Sequence, residues 1–259
     1  MKIPSGVRID LSGRLAVITG GTGALGREMV RAFARCGADV AIHYYRNARQ
    51  AALLVREVRG LGRKAAAFRA DITRLPEVTR MRGAIHRALG VPDIIVNNAV
   101  IQYDWKHVLE QDPADYESQF RSCVLHNVFM AKAFVPGMIR RRSGRVIAIN
   151  TECAIQSFAG QSAYVAGKRG MDGVLRALAR EVGEHQVTVN QIAPGWMISY
   201  KDRGTARERN AGYERSVPLK RRGDDREIAN LAVFLASDLA GFISGAFIPV
   251  CGGNAMTSI

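Results

Sequence analysis

Short apolar runs alternate with longer helical patterns along nearly the whole chain, and this alternation is the strongest constraint on its fold. The first run, residues 14–19, ends in glycines and precedes an amphipathic pattern over residues 25–36, which is typical of a strand, a turn and a helix. Because strands separated by helices need crossover connections, the repeated pattern predicts a parallel sheet with helices on both faces. The expected fold class is α/β, a single doubly wound domain over residues 1–259 with a seven-stranded parallel sheet. The further strands are predicted at residues 39–44, 64–69, 93–96, 145–149, 186–191 and 246–250, and the further helices at residues 48–59, 75–89, 113–141, 161–182 and 225–236.

Length and composition are those of one ordinary globular domain. The 259 residues can bury one sizeable core, and 47% of them are hydrophobic. No apolar run approaches the ~20 residues of a membrane span, and residues 1–13 lack the apolar core of a signal peptide. The four cysteines are widely spaced and form no CxxC pair, which argues against a metal site and a disulfide framework. We expect a cytoplasmic protein with reduced thiols, no metal and no membrane partner.

The formal net charge of +14 would attract nucleic acid, an anionic membrane or an acidic protein. The basic residues are scattered along the chain, with short clusters only at residues 140–142 and 220–222, and no aromatic-rich strand motif accompanies them. This distribution favours a solvated basic surface, and we expect no nucleic-acid partner. An acidic protein partner stays open as an alternative.

A glycine-rich turn joins the first predicted strand to the first helix. Its sequence, Gly-Gly-Thr-Gly-Ala-Leu-Gly over residues 20–26, places backbone N–H groups and a helix N-terminus where they can hold a pyrophosphate. A packing turn is the alternative, but the position at the opening of the first strand–helix unit favours a dinucleotide site. The cofactor contacts of this turn are assigned to Gly20, Thr22, Gly23, Leu25 and Gly26.

Tyr164 and Lys168 lie four residues apart in the first turns of the helix predicted at residues 161–182. This spacing puts the phenol and the ammonium on one face of the helix. A nearby cation favours the phenolate and lowers a phenol pKa that is ordinarily ~10. The pair therefore predicts proton transfer by Tyr164 to a carbonyl or from an alcohol, with Lys168 lowering the pKa of the phenol.

Together these motifs resemble the short-chain dehydrogenase/reductase family, over residues 14–253, essentially the whole chain. The TGxxxGxG turn of the family is matched at Thr19, Gly20 and Gly26, although Ala24 stands at its middle glycine. The resemblance implies a Rossmann-type fold, a nicotinamide cofactor, and hydride transfer between a carbonyl and an alcohol. Further cofactor contacts implied at the ends of the predicted strands are Asp71, Ile72, Asn98, Ala99, Pro194, Gly195 and Met197, with Asn97 preceding Asn98.

The resemblance also implies roles for the catalytic residues. Tyr164 would be the general acid or base, and the positive ring of the oxidised nicotinamide would act with Lys168 to lower the pKa of its phenol. Lys168 would in addition hold the nicotinamide ribose. The serine of the family, thirteen places before its tyrosine, corresponds to Thr151, which keeps a hydroxyl. The asparagine of the family corresponds to Cys123, whose main-chain carbonyl would still hold a relay water if the helix keeps its kink. Asn127 stands one turn further on and is not expected to replace it, and Cys123 is expected to be a tolerated, small buried residue.

Cofactor choice depends on the end of the second predicted strand, where a carboxylate would bind the adenosine ribose of NAD. The chain has no carboxylate there and carries Arg46, whose guanidinium can pair with the 2′-phosphate of NADP. An arginine in the solvated first turn of a helix is the alternative. NADP(H) is the predicted cofactor, and NAD(H) is less favoured.

Substrate contacts are expected from the loops after strands four to six, because open α/β sheets bind ligands beyond the carboxyl ends of their strands. The irregular, polar segment at residues 196–223 has the length expected of a lid. The sequence resembles both 3-oxoacyl-(acyl carrier protein) reductases and dehydrogenases of gluconate and polyols, so the substrate stays open between a carrier-bound 3-oxoacyl thioester and a sugar acid or polyol. The candidate substrate residues are Gln102, Tyr103, Trp105, Glu152, Gln156 and Trp196.

Two further expectations follow from the resemblance. Family members are usually tetramers or dimers built through their late helices and last strand, so we expect a homo-oligomer. The departures at Cys123 and Ala24 keep a second function open, in which the protein binds its cofactor, has impaired catalysis and serves in sensing or assembly.

Overall fold

The computed structural model describes residues 8–257. Residues 1–7, part of the segment that shows no signal-peptide pattern, and residues 258–259 lie outside the described part. The strands within it are β1 Leu15–Ile18, β2 Asp39–Tyr44, β3 Ala65–Arg69, β4 Ile94–Asn97, β5 Gly144–Ile149, β6 Val187–Pro194, β7 Met197–Ile198, β8 Gly223–Asp224 and β9 Phe247–Val250. The α-helices are α1 Ala24–Arg35, α2 Ala48–Gly60, α3 Leu75–Ala88, α4 Pro113–Gln119, α5 His126–Arg141, α6 Cys153–Gln156, α7 Ser162–Val182, α8 Ala211–Ser216 and α9 Asp225–Ala236.

Seven strands form one parallel sheet in the order β3-β2-β1-β4-β5-β6-β9. From β1 the chain continues through β2 to β3 at one edge of the sheet. It then crosses back to β4, on the other side of β1, and continues through β5 and β6 to β9 at the opposite edge. The predicted α/β fold with a doubly wound, seven-stranded parallel sheet is therefore confirmed. Because the strand order reverses between β1 and β4, a crevice opens beyond their carboxyl ends, where such sheets bind ligands.

Each face of the sheet has its own apolar core. Met29 and Phe33 of α1 and Leu235 of α9 pack on one face, while Met130 of α5 and Leu175 of α7 pack on the other. Burying a side chain of this size contributes about 1.5–3 kcal/mol. Since both faces are covered, the strands are apolar on both sides, and they therefore appear in the sequence as continuous hydrophobic runs.

The helix predicted at residues 113–141 is divided by a π-helical turn, Phe120–Leu125, between α4 and α5. The whole run, Pro113–Arg141, is the one helical run in residues 8–257 that is long and apolar enough to cross a membrane. This corrects the expectation that no apolar run approaches that length. Of its most apolar window, 61% is buried inside the protein, as in the core helix of a globular protein, so the run is weak evidence for a membrane span.

Residues 196–223, here called the lid, contain more regular structure than their sequence predicts. β7 follows β6 closely and pairs in parallel with β8, and helix α8 lies between them. Arg222 is buried, so the basic cluster at residues 220–222 is not wholly the solvated surface expected of it. The lid is thus a folded wall beside the end of β6.

Candidate active site

A cleft of about 1000 Å³ lies beyond the carboxyl ends of the parallel strands, at the upper end of the volumes typical of small-molecule and cofactor sites. Residues from the glycine-rich turn, from the ends of β2 to β6 and from the start of the lid form its wall. The sequence-predicted residues in this wall are Gly20, Thr22, Gly23, Leu25, Arg46, Asp71, Ile72, Asn98, Ala99, Gln102, Thr151, Tyr164, Lys168, Pro194, Gly195 and Met197. The sequence-predicted residues outside it are Gly26, Tyr103, Trp105, Cys123, Glu152, Gln156 and Trp196.

The glycine-rich turn is closely packed where the chain passes from β1 to α1. Gly20 has a φ of 62°, a left-handed conformation that favours glycine. A Cβ added at Gly26 would overlap the carbonyl oxygen of Gly20, so only glycine fits there. Helix α1 begins at Ala24, which lines the cleft, and the positive end of the helix is therefore available to an anionic group.

His43 ties the glycine-rich turn to the neighbouring strands, a role that sequence analysis missed. Its Nδ1 accepts a hydrogen bond from the Gly20 N–H at 3.0 Å, and its Nε2 donates one to the Ala70 carbonyl at 2.9 Å. The ring is buried, and burial lowers the pKa of the imidazole. A neutral ring can accept and donate at the same time. The sequence feature that could have indicated this role is a histidine within the mostly apolar strand β2.

Two arginines surround Tyr45 at the end of the cleft beyond β2. The guanidinium carbon of Arg46 is 5.5 Å from the centre of the Tyr45 ring, and that of Arg69 is 6.0 Å away. Arg46 is exposed and lines the cleft. The carboxylate of Asp71, also in the cleft wall, already accepts hydrogen bonds from the Thr73 N–H at 2.9 Å and the Thr73 hydroxyl at 2.6 Å. This end of the cleft therefore presents cationic groups.

Tyr164, Lys168 and Thr151 meet in the cleft. Lys168 Nζ lies 5.6 Å from the centre of the Tyr164 ring and donates a hydrogen bond to the Ile149 carbonyl at 2.6 Å. Thr151, which lines the cleft with them, accepts a hydrogen bond at its Oγ1 from the Cys153 N–H at 3.2 Å. Lys168 and Thr151 are buried, whereas Tyr164 is partly exposed. Of the three residues, Tyr164 is thus the most exposed.

Burial controls the protonation of Tyr164 and Lys168. It raises the pKa of the phenol and lowers the pKa of the ammonium, because burial penalises the charged form of each group. Desolvation is the largest influence on the pKa of Tyr164 in this structure, and Lys168 donates its hydrogen bond to the Ile149 carbonyl. The expectation that Lys168 and the oxidised nicotinamide together lower this pKa stays a prediction. At neutral pH the phenol is protonated, which suits a proton donor.

Cys123 lies in the π-helical turn and is 2% exposed. Its main-chain carbonyl accepts a hydrogen bond from Asn127 Nδ2 at 2.6 Å, and Asn127 Oδ1 accepts one from Asn97 Nδ2 at 2.8 Å. The helix is locally kinked here, because a π-helical turn interrupts the α-helical hydrogen-bond ladder. The thiol is directed at Gln119 Oε1, 3.7 Å away.

Aromatic residues from the loop after β4 cover Tyr164. The indole of Trp105 stacks on the phenol ring, with ring centres 6.2 Å apart and ring planes inclined by 26°. The Tyr103 hydroxyl accepts a hydrogen bond from the Tyr164 N–H at 2.8 Å. Gln102 lines the cleft on the same side. Because Trp105 is half exposed, it presents a flat apolar surface beside Tyr164.

Three candidate substrate residues form hydrogen bonds outside the cleft. The Glu152 carboxylate accepts hydrogen bonds from the Tyr213 hydroxyl at 2.8 Å and from Asn254 Nδ2 at 3.0 Å. Gln156 donates to the Asn254 carbonyl at 2.6 Å, and the Trp196 N–H donates to the Tyr213 hydroxyl at 2.8 Å. These bonds join the lid and the C-terminal segment to the loop after β5. The structure therefore does not place these three residues in the cleft wall.

Comparisons with known proteins bear directly on this arrangement. A family model described as enoyl-(acyl carrier protein) reductase matches residues 21–255. The 3-oxoacyl-(acyl carrier protein) reductase FabG of Pseudomonas aeruginosa is 33% identical over 250 residues, covering 96% of this chain and 100% of that protein. The chain belongs to the short-chain dehydrogenase/reductase family.

Two other relatives of this short-chain dehydrogenase/reductase carry different descriptions. The nodulation protein G of Azospirillum brasilense is 32% identical over 243 residues, covering 94% of this chain and 98% of that protein. A crystal structure described as a candidate gluconate dehydrogenase from Agrobacterium tumefaciens has a TM-score of 0.89 and 28% identity, and covers 98% of this chain and 100% of that one.

Membership of this family makes the protein an oxidoreductase that acts on CH–OH groups. The fold brings Tyr164, Lys168 and Thr151 into one cleft with the glycine-rich turn. Within residues 8–257, no group of three or more His, Cys, Asp or Glu side chains could hold a metal ion. The short-chain dehydrogenase/reductase cleft combines the Tyr164 phenol and the Lys168 ammonium with backbone groups of the glycine-rich turn.

Proposed function

We propose that this protein is an NADP(H)-dependent oxidoreductase that interconverts a carbonyl and a secondary alcohol. The observation that carries the proposal is that Tyr164, with Thr151 and Lys168, lines the same cleft as the glycine-rich turn and Arg46. A nicotinamide bound in this cleft supplies or accepts the hydride. The phenol exchanges the proton with the substrate oxygen, so hydride transfer and proton transfer both take place in one cleft.

The residues of the cleft fit NADP(H) better than NAD(H). The N-terminus of α1 suits the pyrophosphate, and the exposed guanidinium of Arg46 suits the 2′-phosphate of NADP. Residues 43–47, at the end of β2, contain no carboxylate that could accept from the ribose hydroxyls of NAD. Asn98, Ala99, Pro194, Gly195 and Met197 line the remaining cleft and are the proposed contacts of the nicotinamide half.

Each catalytic residue has a separate role in this proposal. Tyr164 donates its proton to the substrate oxygen in the reducing direction, since its raised pKa keeps the phenol protonated. Thr151, whose hydroxyl lines the same cleft, orients the same oxygen. Lys168, buried beside Tyr164, holds the nicotinamide ribose and offers positive charge when the phenolate forms. The main-chain carbonyl of Cys123 holds a water of the relay that returns a proton.

For the substrate we favour a 3-oxoacyl thioester on an acyl carrier over a sugar acid or polyol. Glu152 and Gln156, which would suit sugar hydroxyls, are bonded to the lid and the C-terminal segment. The half-exposed indole of Trp105 beside Tyr164 suits an acyl chain. The net charge of +14 favours an acidic carrier. The likeness to a candidate gluconate dehydrogenase supports the second substrate class.

The test is a substrate panel assayed in both directions with NADPH and NADP⁺. We expect the highest kcat/KM for reduction of a 3-oxoacyl thioester with NADPH. A higher kcat/KM for oxidation of gluconate or a polyol would select the second substrate class. Tight NADPH binding without turnover on any substrate would instead support the second function described next.

A second function has one specific observation in its favour. The Cys123 carbonyl, the group assigned to the relay water, already accepts a hydrogen bond from Asn127. If that bond displaces the water, the protein would bind NADP(H), turn over slowly and serve in sensing or assembly. For either function we propose a cytoplasmic location and a homo-oligomer, a tetramer or dimer.

A further inference from the structure

Arg222 is a buried arginine at the end of the lid. Only 3% of its surface is exposed, whereas the side chain of Arg221 is 53% exposed and paired with Glu227. The two adjacent arginines therefore occupy opposite environments. A buried guanidinium carries a large desolvation penalty unless its N–H groups are well bonded.

The guanidinium of Arg222 joins two separate segments of the lid. Its Nη2 donates to the Met197 carbonyl at 2.7 Å, and its Nε donates to the Trp196 carbonyl at 3.4 Å. Its Nη1 donates to the Arg207 carbonyl and, at 3.4 Å, to the Glu208 carbonyl. Four main-chain carbonyls thus converge on one side chain, which no single secondary-structure element would arrange.

One carboxylate and one ring complete the surroundings of Arg222. Asp202 Oδ2 lies 3.5 Å from Nη2 and also accepts hydrogen bonds from the N–H and hydroxyl of Ser199. The ring of Trp196 lies 4.8 Å from the guanidinium carbon. A neutral side chain at this position would deprive the four carbonyls of their donor, and burial makes that loss costly.

Met197 connects this cluster to the cleft. It lines the cleft beside Pro194 and Gly195, and it pairs with Gly223, the residue that follows Arg222. The same Met197 is therefore held through its carbonyl by Arg222 and through the ladder by β8. Loss of Arg222 would remove the side-chain bond to the Met197 carbonyl and leave the pairing of Met197 with Gly223.

We propose that Arg222 is a positioning residue for the cofactor. By fixing Trp196 and Met197, it sets the cleft wall beyond Gly195, and its loss weakens cofactor binding more than it slows turnover. This inference rests on the proposed function in naming NADPH as the ligand. This role requires the guanidinium, because the single side-chain nitrogen of a lysine cannot bond to both segments of the lid.

The test compares Arg222→Met with Arg221→Met, a matched loss of an exposed neighbouring arginine. In a Trp105→Phe background Trp196 is the one remaining tryptophan of the two, so its emission reports the lid directly. We expect Arg222→Met to raise the NADPH KM and Kd by about tenfold or more, because a displaced cleft wall no longer fits the bound nucleotide, and to lower kcat by less than about threefold. It should also shift the Trp196 emission. Arg221→Met should change none of these, and Arg222→Lys should give an intermediate NADPH KM.

Unchanged NADPH affinity in Arg222→Met, with only a lowered Tm, would show a purely structural role and overturn the proposal. An equal effect of Arg221→Met would overturn it as well. If Arg222→Met does not fold, Arg222→Lys decides by the same comparison. A wild-type protein that binds NADH but not NADPH would refute the proposed cofactor alone, and Arg222 would then be tested with NADH. Binding of neither nucleotide would overturn both proposals.

Discussion

The side-chain amide of Asn127 donates a 2.6 Å hydrogen bond to the main-chain carbonyl of Cys123, one helical turn earlier. Asn127 is held in turn by Asn97 at the end of β4, so this bond ties the π-helical turn to the sheet. A carbonyl oxygen has two lone pairs, and Asn127 occupies one of them. The group expected to hold a relay water is this main-chain carbonyl, so the Cys123 thiol is not needed to hold it.

We therefore predict that Cys123→Asn changes kcat by less than about fivefold in either direction. Asn127→Leu should lower kcat further than Cys123→Asn does, because it removes the group that holds the carbonyl. Steady-state kinetics with an active substrate measures both effects. If Cys123→Asn instead switched on an activity that the wild type lacks, the binding-protein function would be supported and the relay assignment would be wrong.

The proton-transfer role of Tyr164 predicts a large kinetic effect with little effect on cofactor affinity. Tyr164→Phe should lower kcat by about 10²–10⁴-fold, the contribution of a positioned general acid, while NADPH titration shows a nearly unchanged Kd. Thr151→Ala should also lower kcat, and Thr151→Ser is the matched control that keeps the hydroxyl and should retain activity. Wild-type turnover in Tyr164→Phe would refute the assignment.

Arg46 predicts the preference for NADPH over NADH. Loss of a charge-assisted phosphate contact costs about 1.5–3 kcal/mol, so Arg46→Ala should remove most of the preference by weakening NADPH binding and leaving NADH binding unchanged. Arg49→Ala is a suitable control, because Arg49 is exposed in the first turn of α2 but does not line the cleft. Equal affinity of the wild type for both cofactors would contradict the proposal.

His126 predicts a loss of stability in mild acid. The residue is fully buried, and burial, with smaller contributions from His43 and Lys168, lowers the pKa of its imidazole from 6.5 to about 3. The unfolded chain binds a proton on His126 as the pH falls below ~6.5 whereas the folded chain does not, so stability is lost as the pH falls. For this residue alone the loss is about 2 kcal/mol between about pH 7.5 and pH 5.

Urea unfolding of His126→Gln at these two pH values measures that loss. Between the two pH values, the free energy of unfolding of the variant should change by about 2 kcal/mol less than that of the wild type. Part of the change should remain in the variant, because burial also lowers the pKa of His43. His107→Gln replaces an exposed histidine and serves as the control. An unchanged pH dependence in His126→Gln would show that His126 is not held neutral in the fold.

The surface beside the last strand predicts self-association. Phe242, between α9 and β9, is fully exposed, and Leu239 is half exposed. Covering such side chains in a homo-oligomer would remove apolar surface from water. Sedimentation at micromolar concentration should show a dimer or tetramer, and Phe242→Glu should shift the population towards smaller species. A wild-type protein found only as a 28.3 kDa species would contradict the expectation.

Local patterns determined most of the architecture. Apolar periodicity located the seven strands of the main sheet, and the observed order of β1 and β4 puts the glycine-rich turn at the crevice. The spacing of Tyr164 and Lys168 needed only the geometry of one helix. These features depend on residues close together in the chain, so the sequence was sufficient to predict them.

Contacts between distant residues decided the rest. The direction of the Tyr164 pKa depends on desolvation, which no spacing reveals. The sequence-based assignment of Glu152 to the substrate could not include Asn254, 102 residues away, which the fold brings to its carboxylate. Likewise, nothing in the basic cluster at residues 220–222 indicated that Arg222 would be buried in the lid. The sequence by itself therefore determined the fold class and the reactive pair, while only tertiary structure decided protonation and polar pairing, because both depend on which groups packing removes from water.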